Sequence, residues 1–128
     1  MSFISDFLED KLIDHVFRNT PYNAPGTIYL ALYSTDPGED NSGTELSGSG
    51  YTRKAFTIDA PTNGISYNGS DITYDTATAD WTTITHVGVF DASLGGNLLF
   101  YGPLSSPVTV TVGNNFRIPA GNLGIGFD

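Results

Sequence analysis

Turn signals recur about every ten residues through most of this chain, the spacing of a β-sandwich or barrel. That rhythm limits the fold more than any other feature. Thr27–Tyr33 reads Thr-Ile-Tyr-Leu-Ala-Leu-Tyr, placing Ile28, Leu30 and Leu32 on one side of a strand and Tyr29, Ala31 and Tyr33 on the other. Neither side is very polar, so the second must meet another element or another subunit. Tyr51–Ile58 alternates as a strand, and Ala60-Pro-Thr-Asn-Gly64 is a turn because Asn-Gly tolerates positive φ. Ile65–Tyr74 follows, interrupted at Asn68-Gly69-Ser70 by a bulge or tight turn. Then come Trp81–Phe90, a turn at Leu94–Asn97 and Leu98–Tyr101. Val108, Val110 and Val112 alternate with threonines before Gly113-Asn-Asn115, which predicts a hairpin with Phe116–Ile118. Leu123–Phe127 carries apolar residues on one face and glycines on the other, as expected of a paired last strand. The expected fold is mainly β, an antiparallel β-sandwich of about seven or eight strands with one N-terminal α-helix.

The helix is read from Phe3, Ile4, Phe7, Leu8, Leu12 and Val16, which recur at three- and four-residue steps between Ser2 and Arg18. Ser2 or Ser5 can cap its start, Asp6 and Glu9 suit its positive end, and Arg18 its negative end. Asn19-Thr20-Pro21 stops it. Ile13 and Phe17 widen the apolar face, which implies packing against more than one surface.

Residues 34–50 hold Pro37, glycines at 38, 43, 48 and 50 and the acids Asp36, Glu39, Asp40 and Glu45, with no apolar period. A stretch of that length without structure is uncommon in a compact domain, and it reads as a mobile surface loop. The organisation expected is a single domain over 1–128, with the helix in 1–19 and the sandwich in 21–128. Removing residues 38–48 is expected to leave the fold intact, because loop length itself costs little.

Fourteen acids against five bases give a formal charge of −9, which repels nucleic-acid backbones and leaves no basic stripe for anionic lipid. No nucleic acid and no membrane are expected as partners. No apolar stretch approaches the roughly 18 residues of a spanning helix. The start Met-Ser-Phe-Ile, followed by acids, is unlike a signal peptide, so the chain is expected to stay in the cytoplasm unless carried elsewhere. There is no cysteine for disulfides, thiolate metal sites or thiol catalysis.

Catalysis finds little support. Only His15 and His86 could serve as bases, the Gly-x-Ser-x-Gly elbow is absent, and a hydrogen-bonded structural role is the better reading for both. Glu9, Glu39 and Glu45 stand on a helix face or in the loop, neither a rigid seat for a proton donor. Counted from Asp36, the sixth position is Asn41 and the twelfth Ser47, so the loop fails the calcium-binding EF-hand pattern. Neither metal nor cofactor is expected. Trp81 and the seven tyrosines could build a sugar-stacking platform, a protein interface or core.

Three segments carry a resemblance. The run Trp81-Thr-Thr-Ile-Thr-His-Val-Gly-Val-Phe-Asp-Ala-Ser-Leu-Gly-Gly-Asn-Leu-Leu-Phe-Tyr-Gly-Pro-Leu104, the tail Val112–Ile125 and the opening Phe7–His15 all resemble small virion proteins of tailed bacteriophages, often labelled tail-fibre proteins. The resemblance implies membership of the virion and partners among other virion proteins, such as major capsid or tail proteins; that the chain is not an enzyme is expected from its site chemistry. The 34–50 loop lies outside the recognisable pattern.

With no shaft repeat, the chain is expected to be a capsid cement or decoration subunit that self-associates, as a trimer, and docks on other virion proteins. The alternative is a tail or tail-fibre component that binds a host surface glycan. Candidate interface residues are Phe3, Phe7, Leu12 and Val16 on the helix, Tyr29 and Tyr33 on the first strand, Asp36, Glu39 and Asp40 in the loop, and Trp81.

Overall fold

The computed structural model describes residues 2–127; the two ends of the 1–128 range lie outside them. The elements, in order, are β1 (Phe3–Ile4), α1 (Asp6–Phe17), β2 (Ile28–Tyr33), β3 (Lys54–Phe56), β4 (Ile65–Tyr67), β5 (Ile72–Thr73), β6 (Ile84–Phe90), β7 (Leu98–Val108), β8 (Arg117–Ile118) and β9 (Gly124–Gly126). All pairings are antiparallel. A five-stranded sheet has the order β1-β7-β6-β2-β3, and β4-β9 and β5-β8 form two-stranded ribbons. The mainly β fold with one N-terminal helix is therefore as read from the sequence.

The core lies on one face of the large sheet. Leu30 and Leu32 of β2 and Val87 and Val89 of β6 pack with Ile72, Tyr74, Phe116 and Ile118 from the β5-β8 side, and Leu8 of α1 joins the same cluster. Tyr74 is at its centre, edge-on to Trp81 and Phe116 and stacked on Tyr51. The Tyr74 hydroxyl donates to the Leu30 carbonyl at 2.5 Å, so the ring's polar end is satisfied where it is buried.

Burial raises the pKa of Tyr33, Tyr51 and Tyr74, and the Glu45 carboxylate adds to each shift. A folded-state pKa above the unfolded value near 10 means that this stability is complete below about pH 10 and is lost as pH rises further. Spectrophotometric titration should show these three phenols ionising only as the chain unfolds. Smooth ionisation of all seven tyrosines in the folded protein would contradict this packing.

Three local expectations are corrected. The N-terminal residues do not begin the helix: Phe3 pairs with Tyr101 and Ile4 with Phe100 on β7. Ser5 makes the switch, because its N–H donates to the Leu99 carbonyl at 2.9 Å while its hydroxyl donates to Leu98 O and accepts the Leu8 N–H. Ser5, not Ser2, is thus the N-cap. At the far end Asn19, with φ of 53°, turns the chain out of the helix.

The expected C-terminal hairpin is also replaced. β7 runs unbroken to Val108, and the following segment pairs with earlier chain rather than with itself: Trp81 N–H reaches Val110 O, Ala77 N–H reaches Asn114 O, and Ile118 lies opposite Ile72. β7 accommodates Pro103 because β1 covers only Phe100 and Tyr101, leaving an open edge beyond that needs no donor.

Residues 34–50 are built rather than structureless. Ser34 N–H bonds Thr44 O, Leu46 N–H bonds Leu32 O, and Leu46 is buried in the main core. Glu45, isolated-bridged to Tyr33, accepts two bonds from Arg53, at 2.8 and 2.9 Å, and one from the Tyr51 hydroxyl at 2.6 Å. The Arg53 guanidinium also lies 3.7 Å from the Phe90 ring centroid and donates to the carbonyls of Ala92 and Gly95. One buried cation thereby ties the loop and the 91–96 turn to the second face of the sheet. The element expected to cover Tyr33 is this loop, whose Asn41 accepts the Tyr33 hydroxyl at 2.6 Å.

Candidate docking surface

The second face of the sheet leads, at its β1-β7 edge, to an aromatic and acidic surface. Phe3, 43% exposed, lies with its ring 5.4 Å from that of Tyr101, its cross-strand neighbour. The start of α1 is held beside the loop by the bond from Asp6 N–H to Glu39 O at 3.1 Å. This brings carboxylate oxygens of Asp6, Glu9 and Glu39 within 4.8 Å of one another. Partial desolvation, then the charges of Glu39 and Asp6, raise the Glu9 pKa. Burial first, then Glu39, Asp36, Asp6 and Glu9, raises that of Tyr101. The fold thus concentrates negative charge around an aromatic pair of which Phe3 is exposed and Tyr101 half-buried.

The candidate residues divide. Phe3, Asp36 and Glu39 all border Tyr101, and Asp40 is exposed in the same loop. Asp36 is 3.9 Å from the His86 ring, whose Nδ1 meets the Thr85 hydroxyl at 2.8 Å. Phe7 and Leu12 are half-buried against the core, and Phe7 also meets Tyr22 edge-on with Lys11 over its ring. Asp substitutions there would strike the fold itself, so they are poor tests of assembly. Val16 is 63% exposed and, with Ile13 and Phe17, forms an apolar stripe on the outer side of α1. Tyr29 is half-buried and Tyr33 buried.

Trp81 is corrected outright as a sugar platform. It is 6% exposed, and its indole N–H donates to Ser49 O at 2.8 Å. Sequence reasoning missed Tyr101, Asp6 and Glu9 as members of one surface, because their meeting depends on β1 joining the far edge of the sheet. His15 accepts the Tyr22 N–H at 3.1 Å, a structural bond that agrees with its expected role. An apolar groove of about 710 Å³ also opens between Tyr22, Ile28, Phe56 and Ile58.

Among the described residues, no serine hydroxyl is hydrogen-bonded to either histidine, and every buried side-chain polar atom has a hydrogen-bond partner. Fold and surface define a small antiparallel β structural module. Its sequence matches, over residues 3–126, the family of the podophage GP4 fiber I protein gp80. The chain belongs to this family and is a fibre-type structural protein of the phage virion. No curated protein matches the chain. The family favours the tail-fibre alternative over the capsid cement subunit expected from the absence of a shaft repeat.

Proposed function

We propose that the chain is a non-enzymatic fibre subunit that docks, through the acidic surface around Phe3 and Tyr101, on a basic face of another virion protein. The observation that carries this is the pairing of its own cations. Arg18, Arg53, Lys54 and Arg117 lie 2.8–2.9 Å from Asp14, Glu45, Asp75 and Asp71, and Lys11 lies over Phe7. Asp6, Glu9, Glu39 and Asp40 have no ion pair among the described residues, so their field is directed outward. Complementary charge gives a docking partner register and speed, and like charge opposes wrong partners.

Changing Asp6, Glu9 and Glu39 together to Lys should leave the subunit folded while lowering its incorporation into particles by at least about tenfold, since like charges across an interface cost several kcal/mol. Incorporation equal to wild type would remove this face from the docking role. Self-association, with a trimer as the expected state, is assigned to the stripe of Ile13, Val16 and Phe17. Phe17 is 79% exposed, so Phe17→Asp should alter the mass measured by light scattering without moving the urea midpoint. An unchanged mass would place self-association elsewhere. Copy number per particle separates the two locations: far fewer copies than the major capsid protein fits a fibre, and comparable numbers fit a capsid cement subunit.

A further inference from the structure

Two apolar surfaces of this chain lack a partner, one convex and one concave. The convex one is the ridge of Ile13, Val16 and Phe17 on the outer side of α1, each more than half exposed. Their three- and four-residue spacing puts them on one helix face, while Leu8 and Leu12 pack against the core. The concave one is the groove of about 710 Å³ lined by Tyr22, Ile28, Phe56 and Ile58, which reaches the core residues Val89 and Phe100. Its volume is in the range of pockets that enclose a ligand. No acidic or basic side chain lines it, in a chain of net charge −9.

The ridge cannot fill the groove of its own chain. Leu8 lines the groove, and Phe17 stands nine residues further along the same helix, about 13 Å away at ~1.5 Å per residue. The bond from Tyr22 N–H to His15 and the edge contact of Tyr22 with Phe7 hold the end of the helix at the rim of the groove, so the ridge does not swing round. Charge favours a second copy as the occupant. Two chains at −9 repel wherever acids face acids, and the uncharged groove is a surface on which they can meet. Arg18, 69% exposed, follows the ridge directly, and its surface pair with Asp14 holds it only weakly. Asp59, exposed and without an ion pair among the described residues, follows Ile58 at the groove, so the end of the ridge is basic where the rim is acidic. Three side chains fall short of the ~20–30 residues per side of a stable interface. A lasting assembly therefore needs each copy both to give its ridge and to offer its groove, which covers both surfaces at once.

We propose that Ile13, Val16 and Phe17 of one copy seat in the groove between Tyr22, Ile28, Phe56 and Ile58 of a second copy, so that the chain self-associates ridge into groove rather than ridge against ridge. This rests on the assignment of self-association to the α1 ridge and adds the surface that receives it.

The test is complementation between purified full-length variants, read as mass by light scattering and sedimentation over a range of concentrations. Phe17→Asp spoils the ridge and keeps the groove, whereas Gly26→Asp and Ile58→Asp spoil the groove and keep the ridge. Gly26 lines the groove, a Cβ there would meet nothing within 4 Å, and its φ is not left-handed, so the substitution is tolerated by the fold. Ile58 is 41% exposed, and if Ile58→Asp loses the wild-type circular dichroism spectrum, Gly26→Asp decides alone. Each folded variant should raise the dissociation constant of self-association at least about tenfold, the scale of losing an interface anchor. Mixing Phe17→Asp with a groove variant should restore a heterodimer, because the intact ridge of one meets the intact groove of the other, and mixing the two groove variants should restore nothing. Groove variants that assemble like wild type while Phe17→Asp does not would overturn the groove and leave the α1 ridge standing. A mixture without heterodimer would overturn ridge-into-groove packing in the same way. A monomeric wild type, or an unchanged mass in Phe17→Asp, would overturn both this proposal and the reading it rests on.

Discussion

Glu45→Ala should cost about 3 kcal/mol of folding stability, the scale found when one partner of a buried ion pair is removed. The Arg53 side chain is 8% exposed, and without Glu45 its charge would remain between the Phe90 ring and the carbonyls of Ala92 and Gly95 with no anion. The Tyr51 hydroxyl would lose its acceptor as well, while still accepting the Leu32 N–H at 3.0 Å. Urea denaturation measures the effect as a lowered midpoint with unchanged slope. The double variant with Arg53→Ala should lose less than the two single losses added, because the second change removes the stranded charge. A Glu45→Ala loss under about 1 kcal/mol, typical of exposed pairs, would mean that water reaches Arg53 and that the hub is not a fastener. Deleting residues 38–48 takes out Glu45 together with buried Leu46, so it too should destabilise the fold, contrary to the expectation from loop length.

Trp81→Ala should remove about 3–5 kcal/mol, the range for emptying a buried aromatic site. That is a large part of the ~5–15 kcal/mol by which domains are stable. The indole is edge-on to both Tyr51 and Tyr74, and its N–H is bonded to Ser49. The loss should appear as a lower urea midpoint and a weaker near-ultraviolet circular dichroism signal. Trp81→Phe should recover most of the packing and leave Ser49 O short of one donor, a loss of about 1 kcal/mol. If Trp81→Ala kept wild-type stability and lost only sugar binding, the core placement of this ring would be wrong. In the structure described, any loss of binding in that variant is expected to follow from unfolding.

The class of fold was legible in the residues alone, because strand alternation and turn chemistry are local: β2 pairs along the residues read from Thr27–Tyr33, the Asn63-Gly64 turn has positive φ at both residues, and the last strand is paired. The helix was legible through its apolar period and an internal serine cap. Partner choice between distant strands was decided only in the tertiary structure. Val108–Val112 and Phe116–Ile118 alternate equally well as a hairpin or as mates for residues 72–81, and the second arrangement closes the core over Tyr74. Phe3 and Ile4 fit a helical period and a strand alike, until Ser5 finds the carbonyls of Leu98 and Leu99. The exposure of the aromatics was equally undetermined, since Trp81 and Tyr67 are chemically similar candidates until the sheet faces are set. The physical reason is common to these cases. Side-chain period and turn propensity act over a few residues, whereas burial and charge pairing depend on which remote segment arrives to cover them.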